Sequence, residues 1–135
     1  MLYAIFYVNF NSKPLKNKDM KKINVAIVGH PIQEAMILIP VLEKMEEIFL
    51  VSETIGKNKD EEYNSIFFKI GVNGKNIQVL SVEKIDIFLK YENIIIVDFS
   101  KEKDNIDFYI KNNLKYILPG SAAQTESIIE LILLL

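Results

Sequence analysis

Three short stretches carry residue types whose spacing could do chemistry. Gly29-His30-Pro31-Ile32-Gln33 follows the apolar run 23–28 and opens a helical pattern. A glycine turn between strand and helix can hold a phosphate, because the N–H groups and dipole of the helix end favour an anion. His30 could donate a hydrogen bond to that phosphate. Glu53 lies about 20 residues further on, where a carboxylate could bind a ribose hydroxyl. Asp98-Phe99 ends the apolar run 94–97, and ligands of open α/β sheets bind beyond such strand ends. Each stretch also has a plain structural reading. Gly29 serves the dihedral angles of a tight turn, His30 is solvated or caps a helix, and Glu53 is one of 18 acidic residues. Asp98 then caps the next helix and Phe99 packs in the core.

Composition removes other chemistries. The 135 residues include no cysteine, which excludes disulfides, thiolate nucleophiles and Cys-based metal sites. One histidine cannot build a His-cluster metal site or a relay between two imidazoles. Asp104, Asp107 and the pair Glu61-Glu62 have no spacing that acid–base catalysis demands. No catalytic residue and no metal ligand is therefore expected. All 16 basic residues are lysine, so no guanidinium fork is present for a 2′-phosphate or a guanine edge. A net charge of −2 gives no electrostatic reason for nucleic acid or an anionic membrane as partner. The apolar stretches 2–8 and 128–135 fall short of the roughly 20 residues of a membrane span. A soluble, cytoplasmic chain is expected.

The frame that must hold these residues is one domain, since a domain takes roughly 100–200 residues. Hydrophobic residues at 50% and charged residues at 25% are the proportions of a folded globule rather than a disordered chain. Residues 1–19 read as an N-terminal extension: a strand-like run at 3–8, then a polar linker before Met20. The alternative is an extra edge strand. From residue 20 onward, strands alternate with helices. Strands are predicted at 23–28, 48–52, 66–70, 77–81, 94–97 and 116–118. Helices are predicted at 31–46, where Pro40 should kink or split the helix, and at 82–91 and 101–113. Ile85, Phe88 and Leu89 should face inward in one, and Ile106, Tyr109 and Ile110 in the next. Ser121-x-x-Gln124 matches a capping box opening the last helix. The pattern predicts a Rossmann-like α/β three-layer sandwich with a mostly parallel sheet over residues 20–135.

Three stretches in this frame resemble the N-terminal, dinucleotide-binding domain of the dihydrodipicolinate reductase family. They are Lys22-Ile23-Asn24-Val25-Ala26-Ile27-Val28-Gly29, Ile94-Ile95-Ile96-Val97-Asp98-Phe99-Ser100, and Tyr116-Ile117-Leu118-Pro119-Gly120-Ser121-Ala122. The resemblance implies an NAD(P)H-dependent oxidoreductase of lysine and diaminopimelate synthesis. It gives Phe99 and Gly120 cofactor-contacting roles, and with the turn and the acid read above the candidate cofactor contacts are Gly29, His30, Ile32, Gln33, Glu53, Phe99, Gly120, Ser121 and Ala122. Without arginine, NADH is favoured over NADPH. The family's G-x-x-G-R-M-G turn keeps only Gly29 here, with Pro31 lacking a donor and Ile32 adding a branched side chain. Weak or lost cofactor binding is the expectation. The family's catalytic His pair, its lysine and its substrate domain would lie after Leu135, so no turnover is expected from this chain alone. Two other readings stand beside this one: a non-catalytic association or regulatory module, and a mononucleotide- or CoA-binding domain. The last helix carries Ile128, Ile129, Leu131, Ile132, Leu133, Leu134 and Leu135 around most of its circumference. A homo-oligomer, or a partner chain covering that helix, is expected.

Overall fold

The computed structural model describes residues 22–58, 66–70, 75–120 and 123–135, with the backbone alone at 66–70 and 75. The expectations for residues 1–19, and for Ser121 and Ala122, lie outside the described residues. Along the chain come β1 (Ile23–His30), α1 (Gln33–Glu43), β2 (Ile48–Leu50), β3 (Glu53–Gly56), β4 (Ile66–Ile70) and β5 (Lys75–Leu80). A 3₁₀ segment (Val82–Lys90), β6 (Ile95–Asp98), α2 (Lys103–Lys111), β7 (Lys115–Ile117) and α3 (Thr125–Leu134) complete the order.

One sheet of order β4-β5-β3-β1-β6-β7 joins the strands, and β2 also pairs with β1. All pairs are parallel except β4 with β5. β2 pairs with the first residues of β1 and β3 with its last, so together they form one interrupted strand. The interruption at Val51 and Ser52 shifts the register. There the Thr54 hydroxyl donates to the Ile27 carbonyl at 2.6 Å.

Alternation along the strands splits the core in two. Val25, Ile27, Ile95, Val97 and Ile117 pack under α1 and α3. Ala26, Val28, Ile94, Ile96 and Tyr116 pack under the 3₁₀ segment and α2. Helical layers on both faces of a mostly parallel sheet make the Rossmann-like three-layer sandwich. β4 occupies the connection from β3 to β5.

Several boundaries and faces differ from the sequence reading, each for a local reason. α1 runs through Pro40 in one piece to Glu43. Pro40 has no N–H to give the Met36 carbonyl, and the helix closes within one turn after it. Leu89 is exposed because a 3₁₀ turn has three residues, which puts Ile85 and Phe88 on the inner face instead. Ile110 points to solvent, and Asn105 takes the inner position one turn before Tyr109. α3 starts at Thr125 with Gln124 as its N-cap, three residues later than a cap at Ser121 would place it. Among the described residues, no helix is long and apolar enough to cross a membrane.

Candidate functional site

The strand order reverses direction at β1. From β1 the chain moves toward β3 and β5, then returns across the sheet to β6 and β7. The carboxyl ends of β1 and β6 therefore flank the switch point, where open α/β sheets take their ligands. Gly29, His30, Ile32 and Gln33 lie on one side of it, and Asp98, Phe99 and Ser100 on the other. The structure brings these two stretches together, which the sequence pattern alone does not state.

What it builds there is a closed turn. Gly29 has φ +122°, a conformation that side chains rarely adopt. The Ile32 N–H donates to the Gly29 carbonyl at 2.7 Å, across a cis His30–Pro31 peptide. Pro31 offers no donor, so two groups that a phosphate would use are already spent or missing. The Phe99 N–H donates to the Val28 carbonyl at 2.8 Å, which ties the two strand ends together. A methyl group placed on Gly29 would lie 3.0 Å from Phe99 Cβ, 3.1 Å from Ser100 N and 3.2 Å from Ile32 Cδ1. Ile32 and Phe99 both pack against the core under α1 and α3. Two side-chain atoms and one backbone nitrogen of the chain itself crowd the position that a Cβ on Gly29 would take.

Asp98 is the electrostatic centre of the β6 end. It is buried, and both of its oxygens are engaged. Oδ1 accepts from the Ser100 N–H, the Ser100 hydroxyl and the Lys101 N–H at 2.8, 2.6 and 2.9 Å. Oδ2 accepts from the Tyr109 hydroxyl at 2.7 Å. Burial, with the nearby Asp98 charge, pushes the Tyr109 phenol well above its ordinary value. These bonds shape the loop from β6 into α2, whose N-cap is Glu102 rather than Asp98. The sequence held a signal for the partnership: a tyrosine facing the core needs an acceptor for its hydroxyl.

The other site residues have partners of their own. Glu53 opens β3, and Gly56 holds the strand end beside His30. Register places Glu53 two residues before Ile55, the partner of Val28. Its carboxylate accepts from the Tyr91 hydroxyl at 2.6 Å and lies 3.6 Å from the Lys90 ammonium. Burial and the Glu53 contact push the Tyr91 phenol up. Tyr91 and Lys90 escaped the sequence reading, because no periodic pattern ties them to a strand 38 residues earlier. Gly120 follows β7, which runs parallel to β6, and its carbonyl accepts from the Ala123 N–H at 3.0 Å.

Burial lowers the His30 pKa from 6.5. The unfolded chain then binds a proton more readily than the folded one. His30 therefore contributes its full stability above pH 6.5, and that contribution is lost as the pH falls from there through the lower folded value. Urea unfolding at pH 7.5 and 5.5 is expected to show a larger loss for the native chain than for His30→Gln. Equal losses would contradict the assignment.

Parallel order, two helical layers and a switch point at β1 and β6 define a Rossmann-like α/β domain. No protein-family model, curated protein or solved structure matches the chain.

Proposed function

We propose that this chain is a non-catalytic Rossmann-like module that has given up dinucleotide binding and acts by association. The observation that carries the reading is the occupied turn: the Ile32 N–H is bonded to the Gly29 carbonyl, Pro31 has no donor, and Phe99 and Ile32 crowd Gly29. A pyrophosphate needs close approach to backbone N–H groups at that point. Association is supported by α3, where Leu133 and Leu134 are 45% and 74% exposed beside the buried Ile128 and Ile132. Large aliphatic groups left in water favour a covering surface.

A second reading is favoured by the strand order and by the positive φ of Gly29 at the switch point. In it, the chain is the NADH-binding domain of a reductase resembling the dihydrodipicolinate reductase family. Calorimetry separates the two. The native chain is expected to give no binding heat with NADH up to about 1 mM, corresponding to less than about 4 kcal/mol of binding free energy. A low-micromolar Kd would overturn the proposal in favour of the reductase reading. That reading also expects Ile32→Gly to bind more tightly than the native chain.

A further inference from the structure

We infer that the outer face of α1 is a self-complementary surface on which a second copy of this chain docks, helix on helix and antiparallel. The inference rests on the association reading above but uses a different face from α3. α1 turns Ala35, Leu38, Ile39 and Leu42 toward the sheet. On its far side, Glu34, Ile37, Val41 and Lys44 form one stripe with steps of three, four and three residues. That is the spacing by which two helices pack along a common seam. Ile37 is 51% and Val41 38% exposed, and Glu34 and Lys44 are exposed at either end. Lys44 closes the helix but keeps right-handed helical angles, φ −85° and ψ −10°, so it belongs to the stripe.

The charge order selects the occupant. A parallel copy would set Glu34 against Glu34 and Lys44 against Lys44. An antiparallel copy sets Ile37 against Val41 twice and Glu34 against Lys44 twice. A two-fold interface has this property, since each residue meets its counterpart in both directions. The β-branched pair at the centre excludes water, while the end charges fix direction and register. Three helical turns span only about 15 Å. The contact is therefore small, and the dimer should depend on concentration.

Sedimentation equilibrium of the full chain, from about 5 to about 500 μM, is expected to show a monomer–dimer equilibrium. Glu34→Lys alone and Lys44→Glu alone each oppose like charges at both ends and should raise Kd about tenfold. The two changes combined should restore the native Kd, because opposite charges face each other again. Ile37→Asp, at an exposed position, should abolish the dimer without changing the circular dichroism spectrum. Assembly that ignores all of these changes overturns the inference. If Leu134→Asp then dissolves it, association through α3 stands and only the α1 surface fails. A native chain that stays monomeric over the whole range overturns both.

Discussion

Asp98→Ala is expected to destabilise the fold by about 3–5 kcal/mol. In a chain of this size that lowers the Tm by more than about 10 °C. The carboxylate accepts four hydrogen bonds in a buried position, three of them from the loop that leads into α2. Alanine releases that loop, in which Lys101 is held at φ +56°. It also leaves the Tyr109 hydroxyl in the core without its acceptor. Tyr109→Phe alone should cost about 1–2 kcal/mol. In the Asp98→Ala background the same change should cost nothing or stabilise, because it removes a stranded polar group. Urea denaturation of the four proteins measures this coupling. Simple additivity would contradict the network.

Gly29→Ala is expected to cost about 2–4 kcal/mol, from a disfavoured backbone conformation and from crowding together. The new methyl would press on Phe99 Cβ at 3.0 Å and on the Ser100 backbone nitrogen at 3.1 Å. The second contact is with backbone and cannot turn aside as a flexible side chain would. Ile32 Cδ1, at 3.2 Å, is a softer neighbour. Ile32→Ala should therefore recover only part of the loss in a Gly29→Ala chain. Full recovery would place the strain in the side chain rather than in φ and the strand ends. Thermal denaturation of the single and double variants decides between these outcomes.

Much of the scaffold was legible from local pattern. The apolar runs at β1 and β6 are covered on both faces, and near-continuous apolar sequence is the mark of such strands. Leu89 and Ile110 leave the inner face that a uniform helical period gives them, because the local geometry differs. At Leu89 the turn is 3₁₀, and on α2 Asn105 is drawn inward, its amide donating to Ser100 Oγ at 3.4 Å. The strand predicted at 48–52 stops short of Glu53 because one interrupted strand reads as a strand plus a loop. Its continuation to Gly56 depends on pairing with β1, which no local pattern encodes. The glycine turn was visible as a motif, and Pro31 and Ile32 already spoke against an open phosphate cradle. What no spacing could show is the approach of Phe99 and Ser100 to Gly29. That closeness arises when β1 and β6 pair side by side across 70 residues of chain.

The central claim is that the space over Gly29 belongs to the protein and not to a ligand. Amide NMR of the labelled chain during an NADH titration to about 1 mM tests it at the residues concerned. The account predicts that the amides of Gly29, Ile32, Phe99 and Ser100 keep their positions throughout. Saturable shifts at these four amides, with a Kd below about 100 μM, would contradict it.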